Sequence, residues 1–563
     1  MATYKFSSYY RCHKMHALIT VSIKSLILST LIFLAIPSHS LELQPRNIHN
    51  KSQLAEQDMP ADMLRLVIKF HDGTGIRSGR SGALEIHQDL QNTRKLRARR
   101  LNDRDIPSDV NRINQLLSEH GLEISSMIQA SERMIQRQVA IAESYWNQEL
   151  AELQTYQQIL LNNRAGEVNL PTLIRLFNRF KSIEIVYPEP IAFPMATDKY
   201  ATPVEPWGSC LGTPIDPNAG DLSTYQGYLS TPPTGINAND LHQFPGGKGS
   251  DIRVIDIEGG YLPHSDHKKL FQKIGHTHEH HIEHGNAVVG IISAKDNGIG
   301  LKGVAPDVSI GFRGIYNENI FDDWGTALYS SANVAHHIFW AAKHSLQGVV
   351  LLELQRYSAQ DSDCPCGDNN SCQYTPVEYW PAEFDTIKVA VGNGAVVVEA
   401  AGNGSRSLDN SIFNTCDGGC FDRDIRDSGA ILVSGSWDDG LSPMCGFNKA
   451  NYGSRIDTHS WAKNIPTTAR LGAVIYDPGH YCNQYGSDFG GTSGASAIIA
   501  GGVAALQGAF LAEKGYRLDP LSLREALAVT GTPQIPTNVG NHDIDIGSHP
   551  DLTAALAYAL ESF

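Results

Sequence analysis

The stretch GGTSGASAIIAGGVAALQ, residues 490–507, sets two serines, Ser493 and Ser496, at the mouth of an apolar run. Ile499, Val503, Leu506 and Phe510 follow at steps of four, three and four, the spacing of one buried helix face. Glycines around Thr492 and Ser493 allow close approach of backbone and substrate. The free N–H groups of a helix N-terminus there would stabilise negative charge on a reacting oxygen. Upstream, short apolar runs recur as IRVIDI (252–257), GVVLLEL (348–354), AVVVEAAG (395–402) and AILVSGS (430–436). Most are flanked by helical stretches such as ANVAHHIFWAAKHS (332–345). This alternation predicts an α/β fold, a parallel doubly wound sheet with helices on both faces. Ligands of such folds gather at the carboxyl ends of the strands.

The chain has 563 residues, 41% hydrophobic and 19% charged, with a net charge of -15. That balance is globular, and its sign argues against a nucleic-acid binder. At the N-terminus, Lys5, Arg11, Lys14 and Lys24 precede LILSTLIFLAI (26–36), and the small residues Ser38 and Ser40 follow. These are the parts of a secretory signal peptide spanning residues 1–40, cut after Ser40. The apolar run is short for a bilayer span, so no stable membrane anchor is expected and the product is secreted. Cys12 would leave with that segment. Cys210, Cys364, Cys366, Cys372, Cys416, Cys420, Cys445 and Cys482 remain, an even set suited to disulfides in an oxidising compartment. A metal site at Cys364, Cys366 and Cys372 lacks the Cys-x-x-Cys spacing of zinc modules. The pairing is not legible from sequence.

Residues 41–200 form a separate unit. MLRLVIKFHDG (63–73) reads as a strand and turn, 108–161 as mostly helical, LPTLIRLFNRF (170–180) as a helix and SIEIVYPEP (182–190) as a strand. A small α+β domain with an inserted helical hairpin is expected. Residues 201–249 turn to Pro, Gly, Asp, Thr and Asn, the composition of a linker, and 250–563 carry the α/β pattern.

IRVIDIEGGY (252–261) places Asp256 near a strand end. A carboxylate there orients a histidine and stabilises its imidazolium, or simply caps a turn. HTHEHHIEHGNAVVGIIS (276–293) has three readings. HHIEH (280–284) fits the inverted zinc-peptidase motif through His280, Glu283 and His284, although Gly285 and Asn286 follow at once. Alternatively His284 opens a helix whose apolar face is Ala287, Val288, Ile291 and Ile292, and acts as a general base. For His276, His278, His280 and His281 a polar loop with adventitious metal affinity is preferred. VVVEAAGNGS (396–405) ends a buried strand at Asn403, whose amide either donates to a developing oxyanion or serves a turn.

In the order Asp256, His284, Asn403 and Ser493 along one domain, the chain resembles the subtilisin-like serine peptidases, the subtilase family. VIDIEGG is similar to the family's Asp motif, HGNAVVGI to its His motif, AAGN to its oxyanion motif and GTSGAS to its Ser motif. The resemblance implies a catalytic triad of Asp256, His284 and Ser493, an oxyanion hole at Asn403, and substrate binding at Glu353, Leu354, Gln355, Ala401 and Gly402. It implies a serine endopeptidase working through an acyl-enzyme on protein or peptide substrates, with no cofactor needed for catalysis. Residues 41–200 would be its propeptide, a chaperone and inhibitor removed between about Met195 and Tyr228. Structural calcium is common in the family, and the acidic loop DSDCPCGDNN (361–370) would suit it, without a recognised calcium-loop spacing. The cysteine-bearing segments 358–386, 404–427 and 441–485 would be stapled rims of the cleft. The chain departs from the family pattern where Ile257 and Glu258 follow the Asp in place of Thr or Ser and then Gly. It departs again at Asn286 for Thr, Ala497 for Pro, and Glu353-Leu354-Gln355 for the substrate-binding Ser-Leu-Gly. Two other readings stand: a zinc-dependent peptidase using HHIEH, and a non-catalytic exported binding protein on a subtilase scaffold.

Overall fold

Alternate residues of β1 (Met63–Phe70) are buried toward opposite sides, as the two-residue period of a strand requires. The computed structural model describes residues 43–51, 63–102, 104–161, 169–194, 210, 213–278, 281–317, 330–331, 333–358, 360–361, 364–366, 372–416, 418–445, 450–469 and 474–563. The expected signal peptide, most of the stretch from 195 to 212 and most of the acidic loop at 361–370 lie outside them. β1 stands in an antiparallel sheet with β2 (Ile124–Ser126), β3 (Tyr156–Leu160) and β4 (Ile183–Pro190), in the order β2-β3-β1-β4. Leu66, Ile68 and Phe70 pack with α1 (Asp105–Glu119) and α3 (Leu170–Phe177). Val67, Tyr156, Ile185 and Tyr187 face the other way, into a core shared with α2 (Glu132–Trp146) and with Tyr379, Trp380 and Val389.

Residues 108–161 are therefore less helical than expected. β2 separates α1 from α2, and β3 follows them, so no helical hairpin forms. The buried positions of β3 include glutamines, which hides the apolar signal of a strand. Gln158 accepts from Arg65 at 2.7 Å, while Gln157 accepts from Ser78 N–H at 3.2 Å and donates to Gln154 O at 2.9 Å. Buried amides are tolerable when so satisfied.

A short strand, β5 (Ala192–Pro194), ends the described part of this unit. The central sheet follows, built from β6 (Arg253–Glu258), β7 (Gln272–Ile274), β8 (Ser309–Gly314), β9 (Val349–Leu352) and three strands beyond a break. The break is β10 (Leu354–Tyr357), which leaves the sheet at Glu353 and pairs instead with β5 and β11 (Tyr374–Pro376). The sheet resumes with β12 (Val396–Ala400), β13 (Ile431–Ser436) and β14 (Thr458–Trp461). These seven strands are parallel in the order β14-β13-β12-β9-β6-β8-β7, and Thr532–Pro533 and Ser548–His549 extend the β14 edge.

Each run expected as a strand forms one, apart from that exit. Val254, Leu351 and Val398 pack toward α4 (Ile282–Ser293) and α7 (Gly491–Lys514). Ile255, Ile257, Val350 and Leu352 pack toward α5 (Val334–Ser345) and α6 (Pro381–Gly392). The fold is the predicted α/β sheet covered on both faces. α7 is apolar and long enough to cross a bilayer, yet 89% of its most apolar window is buried inside the protein. It is a core helix.

All eight cysteines expected to remain are paired, as Cys210–Cys482, Cys364–Cys372, Cys366–Cys445 and Cys416–Cys420. Cys366–Cys445 ties the segment at 358–386 to that at 441–485.

Candidate active site

The carboxyl end of β6, the first turn of α4 and the first turn of α7 converge on one imidazole. His284 Nε2 lies 2.9 Å from Ser493 Oγ, and His284 Nδ1 lies 2.5 Å from Glu258 Oε2. The second Glu258 oxygen accepts the Gly259 N–H at 2.5 Å. The His284 ring also meets Phe489 edge-on at 5.2 Å. A hydroxyl, an imidazole and a carboxylate are thus linked in series within a buried pocket, where His284 is 5% and Ser493 0% exposed.

The acid in that series is not the expected one. Neither carboxyl oxygen of Asp256 has a hydrogen-bond partner among the described residues, His284 included. The strand geometry explains the exchange. Residues 256 and 258 point to the same face, about 6.6 Å apart along the strand. Asp256 stays inside the sheet, in register with Phe312 and Leu351, while Glu258 is the last residue of β6. Its longer side chain reaches α4 from there. Gly285 lets the helix close on the strand end, since a Cβ on it would lie 1.8 Å from Gly260 O and 3.0 Å from Glu258 Cγ. A signal was present in the sequence: an acid followed two residues later by Gly fits Glu258-Gly259-Gly260, and does not fit Asp256-Ile257-Glu258.

Asn403 is held by the turn that carries Ser493. Its Oδ1 accepts from the Thr492 N–H at 2.9 Å and from the Thr492 hydroxyl at 3.1 Å, and its own N–H donates to Gln355 Oε1 at 2.9 Å. Because the Thr492 N–H can only donate, the facing atom of the amide must be the oxygen, and the NH2 is turned elsewhere. Ser493 occupies the first turn of α7, so its N–H is among the donors that a helix leaves unpaired. An amide and a helix N–H beside a hydroxyl are the donors an oxyanion hole needs.

The other expected binding residues sit close by in different roles. Leu354 and Gln355 lie on β10, paired with Pro194 and Phe193, and Arg356 is paired with Ala192. Phe193 packs against Tyr357 and Tyr374, with ring centroids 5.2 and 5.6 Å away, and Ala192 is fully buried. Pro194 lies against Gly259, where an added Cβ would come within 2.5 Å of its Cγ. The fully buried Arg356 donates to Pro190 O and to Glu383 at 2.6 Å. Ala401 O accepts from Asn451 at 2.7 Å and Gly402 N–H donates to Thr492 Oγ1 at 3.2 Å, so both brace the loop that carries Asn403.

Glu353 turns inward, away from β5. Its N–H donates to Ile257 O at 3.2 Å, which sets it across the sheet from Glu258. Its Oε1 lies 2.8 Å from Ser496 Oγ. Three buried carboxyls therefore share one side of the site. Burial, then the charges of Glu258 and Glu353, push the Asp256 carboxyl well above the usual carboxylate range, and burial and Glu258 do the same to Glu353. Among the described residues, the only basic side chain within ion-pair distance of any of the three is His284, on Glu258.

The zinc motif is not assembled as that chemistry requires. α4 begins at Ile282, so HHIEH starts before the helix, and both nitrogens of His284 already face Glu258 and Ser493. His281 stacks on Tyr316 at 5.4 Å, with His278 beside it, while His280 lies outside the described residues. No cluster of three or more metal-ligating side chains occurs among the described residues.

The model of the subtilase family matches residues 248–542, more than half of the chain. Among solved structures the chain is similar to fervidolysin from Fervidobacterium pennivorans, a keratinolytic enzyme related to subtilisin. That match has 16% identity and a TM-score of 0.48, and covers 92% of this chain and 64% of that one. The chain thus spans less than two thirds of fervidolysin. It is also similar to the epidermin leader peptide processing serine protease of Staphylococcus aureus (15% identity, TM-score 0.47, 89% of this chain, 99% of that one). A third similarity is to proteases from Pseudoalteromonas arctica (19% identity, TM-score 0.40, 62% of this chain, 100% of that one). No curated protein matches the chain by sequence.

Proposed function

The chain belongs to the subtilase family of serine proteases, and we propose that it is a secreted endopeptidase, made as a self-processing zymogen, whose working triad is Ser493, His284 and Glu258. The observation that carries this reading is the unbroken hydrogen-bonded series from Ser493 Oγ through His284 to Glu258. Ser493 Oγ attacks the scissile carbonyl carbon while His284 Nε2 takes its proton. Glu258 accepts the His284 Nδ1–H, fixes the tautomer and stabilises the imidazolium that forms. The Ser493 N–H and the Asn403 amide receive the negative charge of the tetrahedral intermediate. His284 then protonates the leaving amine, and water, activated by the same base, releases the acyl group from Ser493.

The docking of β5 on β10 supports the zymogen reading. Residues 192–194 lie on β10 as an extended antiparallel strand, the way a peptide adds to a sheet edge. Residues 41–200 are accordingly assigned as the propeptide, residues 201–249 as the linker and N-terminal part of the mature enzyme, and 250–563 as the peptidase domain. The eight paired cysteines and the N-terminal apolar run support export. Substrates are proteins or peptides, and the first of them is the chain's own propeptide.

A fluorophosphonate probe tests the serine chemistry. Processed enzyme is expected to label on Ser493 and lose peptidase activity, with labelling persisting in excess chelator. Hydrolysis abolished by chelator but untouched by the phosphonate would overturn the reading in favour of a zinc peptidase, and absence of both hydrolysis and labelling in favour of a binding protein. Asn403→Ala is expected to lower kcat by about 10²–10³ with little change in KM, as removal of one oxyanion donor does. Steady-state kinetics of the processed variant checks this.

A further inference from the structure

Ser496 Oγ has three close oxygens: Thr492 O at 2.7 Å, Glu353 Oε1 at 2.8 Å and Ser493 O at 3.1 Å. A hydroxyl has one proton, and carbonyl oxygens only accept. If the proton goes to Thr492 O, the contact with Glu353 needs a second proton. If it goes to Glu353, the 2.7 Å contact with Thr492 O is left as two acceptors facing each other. Both short contacts are satisfied at once only when Glu353 itself is the donor. Its surroundings agree with that state. The carboxyl is fully buried, Oε2 has no hydrogen-bond partner among the described residues, and the strand opposite carries Glu258 and Asp256. The groups that face it from the packed elements are Asp256 and Glu258 on β6 and Ser493 and Ser496 on α7, with no lysine or arginine among them, and His284 on α4 is bonded to Glu258.

We propose that Glu353 is a positioning residue that carries a proton, donates it in a hydrogen bond to Ser496 Oγ, and so holds the turn presenting Ser493 while leaving Glu258 the one ionised carboxyl beside His284. This inference rests on the Ser493–His284–Glu258 reading above. Burial and the Glu258 charge push the Glu353 carboxyl above the usual carboxylate range, so that it keeps its proton where an exposed carboxyl would lose it. Loss of that proton at high pH has two consequences. The contact with Ser496 loses its donor, and a second negative charge appears next to the Glu258–His284 pair. That charge opposes the negative charge that develops on the oxyanion formed at Ser493. The kcat/KM of the processed enzyme therefore falls on the alkaline side as Glu353 ionises.

The test is the pH dependence of kcat/KM for processed wild type and Glu353→Gln on an uncharged peptide amide. Glutamine keeps the donor and cannot ionise. The expected result is that the alkaline limb is lost while the acid limb, set by the base, stays in place. Glu353→Leu, which removes the donor, is expected to lose about 10–100-fold across the profile, the scale of a small misplacement of the nucleophile, and glutamine to recover most of it. An acid limb displaced to lower pH by a unit or more in Glu353→Gln would mean that an ionised Glu353 had been supporting the imidazolium, and would overturn the proposal. So would superimposable profiles. An infrared arm needs no turnover. The pH 7 difference spectrum between Asp256→Asn and Asp256→Asn/Glu353→Gln should show a buried protonated-carboxyl band, which separates Glu353 from other buried acids held neutral, such as Glu399. Its absence overturns the proposal and leaves the assignment of Ser493, which phosphonate labelling decides separately, untouched.

Discussion

Glu258→Gln lowers kcat by about 10⁴, the scale set when a triad carboxylate becomes an amide, whereas Asp256→Asn costs less than about tenfold. The direction follows from two hydrogen bonds. Glu258 Oε1 accepts the Gly259 N–H, and Oε2 accepts from His284 Nδ1. A glutamine must keep its oxygen toward the Gly259 N–H, because its NH2 there would set donor against donor. Its NH2 then faces His284 Nδ1 and forces that nitrogen to accept. The proton moves to Nε2, so the imidazole points a donor at Ser493 and no longer works as its base. Geometry is preserved and the chemistry is lost, so the loss should fall on kcat with KM little changed. Asp256→Asn replaces a carboxyl already held toward its neutral form by burial with a neutral amide of the same shape, one step deeper in the sheet. Steady-state kinetics of the two processed variants, side by side, decides between the acids. A large loss for Asp256→Asn together with a small one for Glu258→Gln would return the role to Asp256.

That exchange shows where sequence reasoning reaches and where it stops. The strands at 253–258, 349–352, 396–400 and 431–436 were legible because both faces are buried, which leaves short apolar runs rich in Val, Ile and Leu. Ser493 and His284 were legible because each opens a helix whose packing face repeats with helical period. The acid was harder. Residue type pointed to Asp256, while the register of β6 against α4 puts Glu258 beside His284, and only the acid-x-Gly spacing carried that register into the sequence. Glu353 was singled out by its departure from the family pattern, but its inward direction depends on β10 leaving the sheet, an event without a compositional marker. β3 was hidden because its inward glutamines are paid in hydrogen bonds instead of apolar contacts. Cysteine pairing joins residues as far apart as 210 and 482, a matter of topology that local pattern does not encode.

Ser493→Ala is expected to leave the chain unprocessed. Removing the nucleophile of a subtilisin-type triad costs on the order of 10⁶ in kcat, so a self-cleavage that takes about a minute would take on the order of two years. The variant should accumulate with residues 41–200 still attached, and intact mass and N-terminal sequencing would read it directly. The wild type should instead yield a mature N-terminus whose position follows from the β5–β10 register. Pro194 is opposite Leu354, next in the chain to Glu353 and the serine turn, so the cut is expected within the few residues that follow Pro194. Ser496→Ala separates the two serines of the opening stretch. Ser496 Oγ points to Glu353 and to backbone carbonyls of its own helix, away from His284, so that variant should still process itself, more slowly. Processing by Ser493→Ala protein purified alone would remove Ser493 from the mechanism. Processing of that same variant only when active wild type is added would confirm that its substrate segment is intact and that the missing hydroxyl is what the cut requires.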